Sequence, residues 1–129
     1  MIDELKPVLC YVSPAGNNKI VSWYEGLSVQ EQADADEFIK SMRKTKLWVL
    51  PSYRPKLAGH KGLGELRWVS ERKQQRLIGY LKSDTFFALV GCTHKQRVYD
   101  PTDALDTADR RRAEIERGKA TTEPIWPMN

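Results

Sequence analysis

The segment YRPKLAGHKGLGELRWVSERKQQRLIGYLKSDTFFALVGCTHKQRVY, residues 53–99, carries the pattern that decides the fold. Within it, residues 63–69, 75–81 and 85–93 are rich in β-branched and aromatic residues, which predicts three strands. The two connections between them are at most five residues long. Connections this short suit antiparallel hairpins and exclude parallel crossovers. The segment therefore predicts a three-stranded antiparallel meander.

The same segment concentrates positive charge. It contains ten Lys/Arg and three Asp/Glu, a net charge of +7, whereas the whole chain of 129 residues carries only +4. The part before it carries −1 and the part after it carries −2. Positive charge on a small sheet and its loops attracts phosphate more strongly than the total charge suggests. The meander is therefore the candidate nucleic-acid interface.

Strand and helix signals precede the meander. Residues 6–13 predict a first strand, because they are rich in β-branched and aromatic residues and are followed by Pro14 and Gly16. Asn18 can cap a short helix over residues 19–25, and a strand of a hairpin is the alternative interpretation there. A second helix should follow, because Ser28 and Glu31 have the spacing of a capping box.

A third helix and a tail follow the meander. Periodic apolar residues extend the second helix to about Lys44 or Lys46, and a further helix is predicted over residues 103–117, before Gly118. Residues 119–129 have two prolines and no periodicity, which predicts a flexible tail. The chain is thus predicted to be one α+β domain over residues 1–118. Its antiparallel sheet should be packed by two N-terminal helices and a C-terminal helix.

Composition excludes several classes of protein. No apolar run approaches the length of a membrane span, and the N-terminus lacks the features of a signal peptide, so a cytoplasmic location is expected. Cys10 and Cys92 are predicted to be buried thiols, with a reactive Cys92 as the alternative. The scattered His and Cys residues predict no metal site. Gly62 and Gly64 are too few for a dinucleotide fingerprint, so no cofactor is expected.

Four short motifs carry a family resemblance. The order of a strand, two helices, a meander and a final helix resembles the RelE/HigB superfamily of toxins from bacterial and phage toxin–antitoxin pairs. The likeness is greatest to its phage-derived HigB-like branch, and it covers about residues 47–118. The motifs are KLAG at 56–59, GLGELRW at 62–68, RLIGY at 76–80 and LVGCTHK at 89–95.

The resemblance implies an activity and a partner. Toxins of this family are messenger-RNA endonucleases that act on the ribosome without metal, and a cognate antitoxin, here expected to be a small helix-turn-helix protein, holds them inactive. The 2′-OH beside the scissile phosphate attacks in line and leaves a 2′,3′-cyclic phosphate and a 5′-OH. This chemistry needs a base, an acid and cations for the charge that develops on phosphorus.

Two strand arginines match the family pattern for phosphate contacts. Arg67 lies where the family has a basic residue on the first meander strand, and Arg76 precedes an aliphatic and aromatic run. A guanidinium offers a rigid fork of donors to phosphate oxygens and stays charged. The alternative is that each is a solvated strand residue or a partner for Glu65 or Glu71.

The end of the last predicted strand supplies the candidates for proton transfer. His94 has an ordinary pKa near neutrality, whereas Tyr99 would serve only if neighbouring cations lowered its pKa. With Lys95, they complete the predicted catalytic set. The chain departs from the best-known members of the family here, because Cys92 and Thr93 stand where those members have basic residues.

Other basic residues are predicted to contact RNA. Lys56, His60 and Lys61 lie in a glycine-rich segment, residues 56–62, which we name the basic loop, and Arg97 follows the last predicted strand. Glycines let the backbone of such a loop approach phosphates. A mobile loop without a dedicated role is the alternative.

A competing class of function remains open. ParE-like proteins of the same superfamily resemble these toxins in fold but act by binding DNA gyrase, and they lack the basic catalytic set. A degenerate toxin that only binds a protein partner is a third alternative. The candidate catalytic residues favour the nuclease.

Overall fold

The computed structural model describes residues 6–124, and within them the chain is α+β. No helix in this range is long and apolar enough to cross a membrane. The elements, in chain order, are β1 (Val8–Val12), α1 (Lys19–Glu25), α2 (Val29–Arg43), β2 (Tyr53–Arg54), β3 (Gly64–Ser70), β4 (Lys73–Lys82), β5 (Thr85–Lys95), β6 (Val98–Asp100), α3 (Ala104–Glu116) and β7 (Thr121–Pro124).

The predicted meander is confirmed. Strands β3, β4 and β5 pair antiparallel in sequence order. Their connections are two-residue turns at residues 71–72 and 83–84, and all four residues have positive φ, between 51° and 65°. Two successive positive φ values give the turn whose twist matches that of paired strands. A third such turn, at residues 96–97, adds β6 to β5, which the sequence did not predict.

Strand β1 lies between β5 and β7. It pairs parallel to β5, with Val8 opposite Phe86, and antiparallel to β7, with Cys10 opposite Glu123. The sheet order is therefore β2-β3-β4-β5-β1-β7, with β6 on β5. The prediction of a flexible tail is wrong for Thr121–Pro124, because this segment supplies backbone hydrogen bonds to the open edge of β1. Residues 125–129 of the predicted tail lie outside the described residues.

Helices α1 and α2 begin at the residues that their predicted caps indicate. The Asn18 side chain accepts hydrogen bonds from the backbone N–H groups of Ile20 and Val21, so the hairpin alternative for α1 is wrong. Ser28 and Glu31 form the expected capping box at the start of α2. Each cap satisfies N–H groups that the first helical turn leaves without a carbonyl partner.

Two hydrophobic layers enclose the sheet. One is built from the helices α1 and α2 on one face and contains Ile20, Ile39 and Phe86. The other lies on the face covered by α3 and contains Leu89 and Ala108. Strand residues alternate between the two faces, except at a bulge opposite Ile78 and Gly79, where Leu89 and Val90 both belong to the layer under α3.

Trp23, Trp48, Trp68 and both cysteines belong to these layers. Trp48 and Trp68 are buried, as expected of core residues. Cys10 and Cys92 are buried thiols, and burial raises the pKa of Cys92 to about 12. The thiol of Cys92 therefore stays protonated at neutral pH, and the reactive alternative is wrong.

Candidate functional site

Strand register gathers the candidate residues on one face of the sheet. Arg67 lies opposite Arg76, which lies opposite Cys92, and His94 lies opposite Tyr99. Directly paired residues share a face, and residues two apart on one strand share it as well. The structure thus brings four of the five predicted catalytic residues to one place.

A buried glutamate is the centre of this group. Glu65 has only 3% of its surface exposed, and its Oε2 lies 3.4 Å from Arg67 Nε and 3.5 Å from Arg76 Nε. Its Oε1 accepts a hydrogen bond of 2.6 Å from the Tyr99 hydroxyl. The ring of His94 lies 4.7 Å from that of Tyr99. We name these five residues the Glu65 cluster.

Arg76 is buried, so the alternative that it is a solvated strand residue is wrong. Only 4% of its surface is exposed, because it lies in β4 between β3 and β5. Its guanidinium donates to the backbone carbonyl of Gln75 at 2.9 Å and to Gln74 Oε1 at 3.0 Å. Burial lowers the pKa of Arg76, and the Glu65 carboxylate opposes that effect. The proposed alternative, a pairing with Glu65, is therefore present for both arginines.

A cleft of about 290 Å³ borders the two arginines. Arg67, Gln74 and Arg76 line its polar side, and Pro51 and Val69 contribute apolar surface. The Nε atoms of both arginines are buried, and they face Glu65 Oε2 as ion pairs without the geometry of hydrogen bonds. The Arg67 side chain keeps 25% of its surface exposed, so its guanidinium can offer N–H groups to an anionic ligand in the cleft.

The environment shifts the pKa values of the two candidates for proton transfer, His94 and Tyr99, in opposite directions. Burial, followed by the charge of Arg76, lowers the pKa of His94 below its ordinary 6.5. Burial, followed by the hydrogen bond to Glu65, raises the pKa of Tyr99. The condition set for Tyr99, a pKa lowered by neighbouring cations, is not met, because burial and Glu65 outweigh the effect of Arg76. At neutral pH His94 is neutral and can accept a proton, whereas Tyr99 holds its proton and can donate it.

Lys95 and Arg97 lie outside the cluster. Lys95 follows His94 on β5, so the alternation of strand residues places it on the opposite face, where it is exposed. Arg97 is exposed in the turn between β5 and β6, with φ of 67°. The structure does not bring the predicted catalytic Lys95 together with the other four residues.

The basic loop is held against α3. His60 Nδ1 lies 2.5 Å from Asp109 Oδ2, and Arg112 donates from Nη1 to the backbone carbonyl of Lys61 at 3.1 Å. Lys56 and Lys61 are exposed. A phosphate that approached His60 would therefore compete with the Asp109 carboxylate.

One group of residues has the composition of a metal site. Donor atoms of His60, Asp106 and Asp109 all lie within 4.8 Å of one another. Sequence analysis did not identify this group, because almost fifty positions separate the loop from the helix. None of the three residues lines the cleft beside Arg67 and Arg76.

Glu65 and Gln74 are the site residues that sequence reasoning missed. Sequence reasoning named Glu65 only as an alternative ion-pair partner of the arginines. A signal was present, because an acid two positions before Arg67 shares its face of the strand.

Comparisons with protein-family models, with curated proteins and with solved structures found no match to this chain. The resemblance to the RelE/HigB superfamily therefore rests on the four motifs and on the order of the elements.

Proposed function

We propose that this protein is the toxin of a toxin–antitoxin pair and that it cleaves messenger RNA on the ribosome without a metal ion. The observation that carries the proposal is that two arginines of the Glu65 cluster, Arg67 and Arg76, line one cleft while His94 and Tyr99 belong to the same cluster. A cleft of this kind suits a phosphodiester, whose oxygens would accept hydrogen bonds from the guanidinium groups.

The geometry suggests a role for each side chain. Neutral His94 accepts the proton of the 2′-OH as that oxygen forms its bond to phosphorus. Arg67 and Arg76 stabilise the negative charge that develops on the phosphate oxygens. Tyr99 turns from Glu65 and donates its proton to the 5′-oxygen as the bond between phosphorus and that oxygen breaks. The products are a 2′,3′-cyclic phosphate and a 5′-OH.

Glu65 positions the other groups in this scheme. Its carboxylate contacts both guanidinium groups and the Tyr99 hydroxyl, so it fixes three reactive groups at one point. Preorganised donors cost no reorganisation at the moment of reaction. The proposal therefore includes a positioning residue that the family motifs alone did not identify.

The fold agrees with the proposal. The order of one strand, two helices, a meander and a helix is the order on which the family resemblance is based. An antitoxin partner, expected to be a small helix-turn-helix protein, and a cytoplasmic location belong to the same proposal.

The test is controlled expression of the protein without its antitoxin. Growth should arrest, and messenger RNA on translating ribosomes should acquire new 5′-OH ends. Arg76→Lys is the matched variant, because it keeps a charge in the cleft but removes the fork of donors. Its cleavage of messenger RNA should be low. Growth arrest with intact messenger RNA would contradict the proposal.

One observation favours a second candidate function. Glu65 already pairs both arginines, as expected if their charges only stabilise the sheet. The chain would then be a ParE-like or degenerate toxin that binds a protein partner. Inhibition of DNA gyrase by the purified protein, with no cleavage of messenger RNA, would favour this candidate.

A further inference from the structure

A second pocket lies on the face of the sheet that is opposite the Glu65 cluster. Its volume is about 350 Å³, and its polar and aromatic groups come from Trp23, Glu31, Lys73, Gln75 and Asp100. Gln75 and Asp100 are each a chain neighbour of a member of the Glu65 cluster. Because consecutive strand residues face opposite sides of a sheet, the sheet separates a ligand in this pocket from the cleft beside the two arginines.

Glu31 brings a buried negative charge to the pocket. Only 7% of its surface is exposed. The backbone N–H of Ser28 donates to Glu31 Oε1 at 2.9 Å and lowers the pKa of this carboxyl group, which keeps it ionised at neutral pH. Lys73 Nζ lies 3.6 Å from Glu31 Oε2, but 60% of the Lys73 side chain is exposed. Since ion pairs of exposed side chains are weak, an incoming cation can replace Lys73 beside this carboxylate.

Gln75 leaves a buried oxygen atom without a donor in the pocket wall. The residue is 1% exposed, and its Nε2 donates to Glu31 Oε2 at 2.8 Å. A carboxylate only accepts hydrogen bonds, so the amide must present its nitrogen to Glu31. The Oε1 atom of Gln75 is left without a donor among residues 6–124. Because buried acceptors normally have a donor, this atom indicates a ligand that brings N–H groups.

An exposed carboxylate and an indole ring complete the pocket. Asp100 is exposed at the end of β6. Trp23 packs over Gly91, where an added Cβ would lie 2.1 Å from the indole, so the ring lies close against β5. The face of an indole attracts cations. Two carboxylates, an amide oxygen and an aromatic ring together suit a guanidinium, which is planar, carries N–H donors around its edge and has no acceptor.

We propose that this pocket receives the arginine side chain of a protein partner. The guanidinium packs on Trp23, donates to Asp100 and to Gln75 Oε1, and neutralises Glu31 in place of Lys73. A lysine ammonium lacks the planar fork that could reach these groups together, and a phosphate would be repelled by both carboxylates.

The arginine is expected to belong to a protein chain. Among the described residues that line the pocket, Lys73 is the one cation, and it pairs with Glu31. The pocket therefore offers no separate cation to the α-carboxylate of free arginine. The inference goes beyond the proposed function, because a partner bound on this face leaves the cleft open and the pocket is compatible with either candidate function.

The binding test uses single blocked residues as probes. N-acetyl-arginine amide, its lysine counterpart and its citrulline counterpart are titrated into the full-length protein, and NMR signals of the Trp23 indole N–H and the Gln75 side-chain amide report the pocket. The arginine probe should bind about tenfold or more tightly than citrulline, which keeps the shape and lacks the charge. Asp100→Asn should remove about that factor, as expected for a hydrogen bond between charged groups. Glu37→Gln, at an exposed acid of α2, is the charge-matched control and should leave binding unchanged.

Lys73→Ala distinguishes a cationic ligand from an anionic one. Removal of the competing ammonium should strengthen binding of the arginine probe by about threefold, the scale of an exposed ion pair. A ligand that binds through phosphate should instead bind more weakly to this variant. Thermal melting shows whether each variant is folded.

The outcomes separate this proposal from the nuclease. Equal affinity for arginine and citrulline, or arginine binding that Asp100→Asn leaves intact, overturns the arginine pocket. Weaker binding of the arginine probe to Lys73→Ala, or a preference for a single-stranded oligonucleotide, overturns it as well. Tighter binding of free arginine than of the blocked probe would assign the pocket to the amino acid and overturn the protein partner. Arginine binding by a protein that cleaves no messenger RNA supports the pocket and contradicts only the nuclease.

Discussion

The Glu65 cluster and the basic loop look alike in the sequence and differ in the structure. Arg76 is 4% exposed, and both arginines of the cluster meet one buried carboxylate. Lys56 and Lys61 are exposed, and His60 contacts Asp109. Strand register and a buried acid can hold a cation at a fixed position, where it can stabilise a transition state. An exposed lysine is not held in this way and only attracts RNA. Density of charge in a sequence therefore does not identify the cations that react.

The largest effect is expected at Arg76. Arg76→Ala should lower single-turnover cleavage by about two to three orders of magnitude, as the loss of transition-state charge stabilisation commonly does. It should also lower the free energy of unfolding by about 3 kcal/mol, because it breaks a buried ion pair. This is the low end of the usual cost, since Glu65 still contacts Arg67 and the Tyr99 hydroxyl in the variant.

Arg76→Lys separates the two effects. Urea unfolding should show a smaller loss of stability, since the charge beside Glu65 remains, whereas cleavage should stay low because an ammonium lacks the fork of donors. Cleavage close to that of the unaltered protein would show that charge alone is sufficient at this position.

The next effect concerns proton transfer. His94→Gln and Tyr99→Phe should each lower single-turnover cleavage by about two orders of magnitude at neutral pH, the usual contribution of a general base or acid. Lys95→Gln should have little effect, because Lys95 lies on the opposite face of β5. Losses of similar size in all three variants would mean that the cluster has no special role.

A smaller effect should appear in the pH dependence of stability. Folding lowers the pKa of His94. Below pH 6.5 the unfolded chain therefore binds more protons at His94 than the folded chain does. The free energy of unfolding should therefore fall as pH decreases from 6.5 towards the lowered value. The difference in urea unfolding between the unaltered protein and His94→Gln isolates this contribution. A difference that does not change across this range would contradict the lowered pKa.

The smallest effects are expected in the basic loop. Lys56→Ala and Lys61→Ala should each weaken ribosome binding by less than about tenfold at low salt, and the loss should shrink at physiological salt, because exposed charges are screened. Arg110→Ala, on the exposed side of α3, is the matched control. A loss of cleavage as large as that of Arg76→Ala would place the reactive cations in the loop.

Local sequence patterns predict the helices and the meander strands, but they do not predict which distant strands pair. The meander follows from alternating residues and short connections, and the caps of α1 and α2 follow from Asn18 and Ser28. Strand β7 pairs with β1, which lies near the other end of the sequence, and a pairing over that distance cannot be predicted from residues 121–124 alone.

The candidate site shows the same division. The sequence identified Arg67, Arg76, His94 and Tyr99 as basic or titratable residues, and the observed register brings them together. The burial of Arg76 and the direction of the Tyr99 pKa depend on Glu65 and on the covering strands. These could not be predicted, since the contact between Glu65 and Tyr99 spans 34 positions.

The place of β1 in the sheet has a consequence for synthesis of the chain. The ribosome makes Val8–Val12 first, yet the two strands that flank it, β5 and β7, begin only at Thr85 and Thr121. The meander can pair as it emerges, because its turns are local. A nascent chain stalled before Thr85 leaves β1 with neither neighbour, and one stalled before Thr121 leaves its outer edge open. The sheet is therefore completed only after Thr121–Pro124 has been translated.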